Sequence, residues 1–240
     1  MGQIKLILFD LDDTLVHFDD YWETSMKEAF AKHDFTRAMD TNRVYEIFRE
    51  IDLRLVQQLD SQQITIEQFR IRRFVECMEQ VGEVVDEATA IDFELFYQSI
   101  AKKNMKPNEA VNKLIGELQR EYRVGALTNG SEGWQLDKLE AIGLNEVISE
   151  ETLFISGRIG HEKPSPEIYI HVVQTAGVQP DEVLVVGDSW ANDVAGPIGQ
   201  GMQAVWMNKK QQKAPTGPSA PQPLAVITDL EELRGLLLLP

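Results

Sequence analysis

The chain has 240 residues, a net charge of −16 from 23 basic and 39 acidic side chains, and a single cysteine. Domain sizes of about 100–200 residues suggest one large domain or a domain with an inserted module. The acidic balance argues against a nucleic-acid polymer or a membrane surface as the main partner. It does not exclude a small anionic substrate, because a metal ion or one lysine can reverse the charge locally. The lone Cys77 predicts a reducing compartment and therefore a cytoplasmic location.

The first predicted element is a nearly unbroken apolar run at residues 4–9, which is typical of a central strand covered on both faces. Similar or shorter runs follow at 124–127, 183–186, 204–206 and 225–227. Helical patterns lie between them, around 111–118 and 168–176. Strands that alternate with helices predict an α/β, Rossmann-like core of three layers around an open parallel sheet.

The segment between the first two strong strands has a different pattern. Residues 18–103 contain no strand of similar quality. Apolar residues recur on one helical face between Val44 and Leu55, and a second helix with a charged side is indicated from Phe69 to Glu76. A helical block of about 80 residues is far longer than a βαβ crossover needs. We therefore expect an inserted all-helical domain at 17–103 and a core made of 1–16 and 104–240.

A proline-rich segment precedes the last predicted strand. Residues 209–223 read KKQQKAPTGPSAPQP and hold four of the ten prolines. This composition predicts an exposed loop. A polyproline segment that binds a partner is the alternative.

Polar residues follow each of the three strongest strands. They are Asp-Leu-Asp-Asp-Thr at 10–14, Thr-Asn-Gly at 128–130 and Gly-Asp-Ser at 187–189. Each group alone could be a turn or a helix cap. The carboxyl ends of parallel strands share one edge of the sheet, where ligands bind in open α/β folds. The three groups together therefore predict a site at that edge.

The acids in these groups indicate the chemistry. Asp10 and Asp12 are two residues apart, and in extended chain they would project to the same side. Carboxylates that close need a cation or a shared proton. Asp188 and Asp193 add two more acids, and oxygen ligands without a histidine pair favour Mg²⁺ over Zn²⁺. Such a site can hold a phosphate through the metal while one carboxylate attacks phosphorus.

Four motifs appear in a fixed order along the chain. They are Asp-Leu-Asp-Asp-Thr-Leu at 10–15, Thr-Asn-Gly at 128–130, Lys-Pro at 163–164, and Gly-Asp-Ser-Trp-Ala-Asn-Asp at 187–193. This set resembles the haloacid dehalogenase (HAD) superfamily, in the phosphatase and nucleotidase-like branch that carries a helical cap after the first core strand. The resemblance spans essentially the whole chain, and four motifs in order are very specific. It implies that the inserted domain is the cap.

The resemblance also implies catalytic and substrate-binding roles. Asp10 corresponds to the nucleophile that becomes an aspartyl phosphate, and Asp12 to the general acid that later acts as the base. Thr128 and Asn129 would hold phosphoryl oxygens. Lys163 would neutralise the phosphate and the Asp10 carboxylate.

A magnesium site is implied by the same resemblance. Asp10, the main-chain carbonyl of Asp12, and Asp188 would bind Mg²⁺. Asp193 would support the metal ligands or Lys163 from behind.

The expected activity is therefore Mg²⁺-dependent hydrolysis of a phosphate monoester of a small metabolite, such as a nucleoside 5′-monophosphate or a sugar phosphate. Alternatives on this fold are a 2-haloacid dehalogenase, a phosphonatase, a phosphomutase and a non-catalytic phosphate-binding regulator. Asp12 argues against the dehalogenase branch, which lacks that acid. Retention of both Asp10 and Asp12 argues against a regulator. The sequence leaves the oligomeric state and the exact substrate open.

Overall fold

A computed structural model describes residues 3–61, 63–217 and 220–238. The chain forms two compact units. We call Met1–Phe18 with Lys106–Pro240 the sheet unit, and Asp19–Met105 the helical unit. Across the described ranges, no helix combines the length and apolar character that crossing a membrane requires.

The sheet unit is built on six parallel strands in the order β3-β2-β1-β4-β5-β6. The strands are β1 (Leu6–Phe9), β2 (Arg123–Thr128), β3 (Leu153–Ile155), β4 (Val183–Gly187), β5 (Gln203–Met207) and β6 (Ala225–Ile227). The predicted α/β core with a parallel sheet is confirmed. β1 lies between β2 and β4, so the strands followed by the three polar groups are neighbours.

Helices make up most of the remaining regular structure. They are α1 (Phe18–Lys32), α2 (Thr41–Asp60), α3 (Ile66–Gln80), α4 (Glu87–Asn104), α5 (Glu109–Leu118), α6 (Glu132–Ala141), α7 (Ser156–Ile159), α8 (Pro166–Ala176), α9 (Gly196–Gly199) and α10 (Leu233–Leu237). Helix α8 packs on one face of the sheet, where Ile168, Tyr169 and Val172 share a buried cluster with Leu6 and Val183. A π-helical segment, Trp190–Ala195, follows β4 and carries the last predicted acid of the site.

The helical unit has a core of its own. The rings of Phe74 and Phe93 stack 4.2 Å apart, and Phe30 lies 4.8 Å from Phe93. Asp40 caps α2 by accepting hydrogen bonds from two main-chain amides of its first turn. No strand occurs among residues 19–61 and 63–105.

The sequence missed one strand and misplaced several ends by one or two residues. β3 contains only three residues, all buried, and such a short run gives little signal against its neighbours. β1 begins at Leu6, two residues after the predicted start. Residues 209–217 are exposed and neither helical nor extended in a ladder, as expected of a loop. Pro218 and Ser219 of the proline-rich segment lie outside the described residues.

The middle of β2 has no room for a side chain. A Cβ on Gly125 would lie 2.1 Å from the main-chain oxygen of Thr152 and 2.6 Å from its Cβ. Thr152 is held there because its hydroxyl donates to the carbonyl of Val124 at 2.9 Å.

We expect Gly125→Ala to lower the free energy of unfolding by about 1–3 kcal/mol, because the added methyl group overpacks the strand. The matched control is Gly116→Ala on the exposed face of α5, where nothing lies within 4 Å of an added Cβ. That change should stabilise the chain by about 0.5–1 kcal/mol through helix propensity. Urea unfolding of both variants measures the difference, and equal stabilities would contradict the packing argument.

Candidate active site

The polar residues that follow β1, β2 and β4 meet at one edge of the sheet. Phe9, the last residue of β1, is level with Ala126 of β2 and Val186 of β4. The main-chain amide of Asp10 extends this ladder by donating to the carbonyl of Val186 at 2.9 Å. The three strand ends therefore place their side chains around one point.

Lys163 lies where the three strand ends meet. Its Nζ donates to Asp10 Oδ1 at 2.7 Å, to Asp193 Oδ1 at 2.7 Å and to the carbonyl of Leu127 at 2.8 Å. These three bonds use all the donors of an ammonium group. Burial disfavours the charged form, but the carboxylates of Asp10 and Asp193 outweigh it and raise the pKa of Lys163 above its usual value. The lysine is therefore a fixed positive charge.

Asn129 holds the main chain of Lys163 from the end of β2. Its Nδ2 donates to the Lys163 carbonyl at 2.9 Å, and its Oδ1 accepts from the Lys163 amide at 2.8 Å. The side chain of Asn129 thus positions the lysine. Direct contact between Asn129 and a phosphoryl oxygen stays a prediction.

Asp193 is fully buried and is held from two sides. Its Oδ1 binds Lys163, and its Oδ2 accepts from the amide of Ser189 at 3.0 Å. Gly187 makes this position possible, since a Cβ there would lie 2.3 Å from Asp193 Cγ. The glycine of the predicted motif is therefore needed for close packing.

Three carboxylates form a group that fits a metal ion. Asp10, Asp188 and Asp193 each offer an oxygen, and these oxygens lie within 4.8 Å of one another. Burial raises the pKa of Asp10 to about 7 against the opposing effect of Lys163. Burial, with Asp10 and Asp193 nearby, raises the pKa of Asp188 to about 8. A cation would relieve both shifts, and the oxygen-only ligands suit Mg²⁺.

Asp12 occupies a different environment. Both of its carboxylate oxygens contact Nζ of Lys138, at 2.6 and 2.5 Å, and its side chain is 44% exposed. The metal-compatible group contains the side chain of Asp193 but not that of Asp12. A metal contact through the main-chain carbonyl of Asp12 stays a prediction.

Several buried hydroxyl groups have no hydrogen-bond partner among the residues that the structure describes. Oγ1 of Thr128 and Oγ1 of Thr14 are two of them. A buried hydroxyl without a partner costs free energy, so such a group suits a ligand oxygen. Thr128 is a predicted site residue. No role was predicted for Thr14, although it belongs to the first motif.

Lys138 and Gln135 on α6 are further residues that sequence reasoning missed. Both are buried, and Gln135 Nε2 donates to the carbonyl of Asn129 at 2.8 Å. The sequence did contain a signal that Lys138 is buried, because this lysine is four residues after Trp134 and therefore lies on the same helix face. A lysine is nevertheless expected at the surface unless its partner is known.

Comparison with known proteins identifies relatives along most of the chain. A family model described as haloacid dehalogenase-like hydrolase matches residues 4–199. N-acylneuraminate-9-phosphatase of Rattus norvegicus is 26% identical over 244 residues, which cover 99% of this chain and 95% of the relative. Pyrimidine 5′-nucleotidase YjjG of Escherichia coli (strain K12) is 27% identical over 233 residues, with 96% of each chain covered.

A solved structure shares the fold over the full length. The magnesium-bound crystal structure of the putative HAD-hydrolase YfnB from Bacillus subtilis superimposes with a TM-score of 0.82 at 24% identity. The match covers 99% of this chain and 100% of the other.

We expect Gly187→Ala to weaken Mg²⁺ binding by about 10–100-fold, because the new methyl group displaces Asp193 from its position beside Asp10 and Asp188. Gly199→Ala is the control, since nothing lies within 4 Å of a Cβ at that exposed position. Titration calorimetry with MgCl₂ gives the two affinities. Unchanged affinity in the Gly187 variant would show that the position of Asp193 does not matter to the metal.

Proposed function

This chain belongs to the haloacid dehalogenase-like hydrolase family and is a phosphoric monoester hydrolase, and we propose that it is an Mg²⁺-dependent phosphatase with Asp10 as its nucleophile. The supporting observation is the buried Asp10 carboxylate at the end of the central strand. It is bound to Lys163 and lies within the carboxylate group that fits a cation. We further propose that the sheet unit is the catalytic core and that the helical unit, inserted after β1, is the cap.

The reaction proceeds in two steps. Asp10 Oδ forms a bond to phosphorus while the ester P–O bond breaks, and Asp12 donates its carboxyl proton to the departing oxygen. The alcohol then leaves. In the second step the Asp12 carboxylate removes a proton from a water molecule, whose oxygen attacks phosphorus. The Asp10–phosphorus bond breaks, which releases phosphate and restores Asp10.

The surrounding residues hold the phosphoryl group during both steps. The Thr128 hydroxyl is buried and has an unused hydrogen bond for a phosphoryl oxygen. Lys163 supplies a permanent positive charge. Asn129 keeps the lysine in place through its two main-chain hydrogen bonds.

Asp10, Asp188 and the main-chain carbonyl of Asp12 would hold Mg²⁺. When bound, the ion neutralises phosphate charge and orients the phosphoryl oxygens. Asp193 supports this arrangement by fixing Lys163. The net effect is that an acidic site accepts an anionic substrate.

We propose a small phosphorylated metabolite as the substrate, either a nucleoside 5′-monophosphate or a sugar phosphate. Support comes from relatives named as a nucleotidase and as an N-acylneuraminate phosphatase. The cap would select the leaving group. The net charge of −16 argues against nucleic-acid polymers, and the free, buried Cys77 fits a cytoplasmic location.

Asp10→Asn should lower the Mg²⁺-dependent hydrolysis of para-nitrophenyl phosphate by about 1,000-fold or more, because the amide is a poor nucleophile. Asp13→Asn is the matched control. Asp13 has a positive φ of 55°, which asparagine tolerates, and its Oδ1 accepts from the Phe18 amide as an asparagine oxygen also can. Undiminished turnover in Asp10→Asn would remove Asp10 as the nucleophile.

A second prediction separates phosphate hydrolysis from the other reactions of this fold. With Mg²⁺ present, we expect release of phosphate from nucleoside 5′-monophosphates or sugar phosphates, and no turnover of 2-haloacids or phosphonates. The reason is that Asp12 is available to protonate an alkoxide leaving group. Phosphate and halide release across such a panel provides the measurement. Dehalogenation as the fastest reaction would reject the proposed chemistry.

A further inference from the structure

Lys138 is a buried lysine on α6 that the proposed mechanism does not use. It is 2% exposed, and its Nζ contacts both carboxylate oxygens of Asp12. The ring of Trp134 lies 5.4 Å from the same nitrogen. Within the described part of the chain, Asp12 is the one carboxylate that forms an ion pair with this lysine.

The exposure of the two partners is unequal. The Lys138 side chain is 3% exposed, whereas the Asp12 side chain is 44% exposed. Enclosing an ammonium group is unfavourable, and an ion pair serving stability alone is often replaceable by apolar residues. Here the buried Lys138 holds the Asp12 carboxylate, which solvent and ligands can reach. The ion pair therefore fixes the position of an accessible carboxyl group.

Helix α6 is itself anchored at the site. It starts just after the Thr-Asn-Gly turn, and Gln135 binds the carbonyl of Asn129. Asn129 in turn holds the main chain of Lys163. Gln135 and Lys138 are three residues apart and share one helix face. The same helix thus connects the residues around Lys163 with Asp12.

We propose that Lys138 is a positioning residue, which holds the Asp12 carboxyl group in place for proton transfer to the leaving oxygen and from the attacking water. This inference rests on the proposed function of Asp12. Lys138 keeps its own protons throughout, so the proton balance of the two steps is unchanged. Contact with both oxygens limits the rotation of the carboxyl group, which a single hydrogen bond would not do.

The test compares two monoesters of similar size. Para-nitrophenolate leaves without help, whereas the alkoxide of benzyl phosphate needs a proton as the ester bond breaks. For Lys138→Met we expect kcat/KM to fall about 100-fold with benzyl phosphate and less than about 5-fold with para-nitrophenyl phosphate. Lys138→Arg, which can contact both oxygens, should lose less than about 10-fold with benzyl phosphate.

Two further measurements exclude a general structural effect. The inhibition constant of inorganic phosphate should stay within about 2-fold of wild type if Lys138 does not bind the phosphoryl group. In the Asp12→Asn background, Lys138→Met should cause no additional loss, because residues that act through one another are not additive. Lys138→Gln provides the same comparisons if the methionine variant does not fold.

Each outcome supports or overturns the inference. Equal losses with both esters, additive losses in the double variant, or a raised phosphate inhibition constant would overturn the role of Lys138. Asp12→Asn separates this result from the proposed function. If kcat/KM of Asp12→Asn falls by the same factor with benzyl phosphate as with para-nitrophenyl phosphate, the acid role of Asp12 fails. If kcat/KM of Asp12→Asn falls more with benzyl phosphate but that of Lys138→Met does not, the role of Lys138 alone fails.

Discussion

The active site depends on one buried positive charge shared by two carboxylates. Lys163 contacts Asp10 at the end of β1 and Asp193 beyond the end of β4, and Asn129 at the end of β2 holds its main chain. Removing one partner of such a pair leaves a buried charge uncompensated, which typically costs about 3–5 kcal/mol. The three strand ends are therefore coupled through the lysine, and the placement of Asp10 depends on all of them.

Two lysines give the acids of the site separate surroundings. Lys163 binds Asp10 and Asp193, whereas Lys138 binds Asp12. In the proposed mechanism these groups differ in role, since Asp10 attacks phosphorus and Asp12 transfers protons. Local cations also explain how a chain with a net charge of −16 accepts a phosphate. The charge of the whole chain therefore says little about the substrate of a site that contains its own lysines.

The sequence predicted five of the six strands that the structure describes, because their residues form continuous apolar runs. It predicted a site at one edge of the sheet because polar residues directly follow three of these strands. It did not predict the partners of Asp12. The extended geometry assumed for residues 10–12 ends at Leu11, whose carbonyl accepts from the amides of Thr14, Leu15 and Val16. Because the chain turns there, Asp10 and Asp12 reach different lysines. The sequence did not predict the burial of Lys138, because a lysine on a helix is expected to be exposed unless a distant residue pairs with it.

Substrate choice concerns a different part of the chain from the proposed phosphoryl chemistry. In the proposed mechanism Asp10, Thr128 and Lys163 act on the phosphoryl group, which every phosphate monoester shares, so they cannot distinguish one alcohol from another. The helical unit has its own stacked phenylalanine core and a buried Arg73 paired with Asp52 and Glu94 at 2.8 Å. These core contacts therefore involve none of the residues proposed for catalysis. If the helical unit is the cap, as proposed, changes in its surface residues would alter the preferred alcohol and leave the proposed phosphoryl chemistry of the sheet unit unchanged.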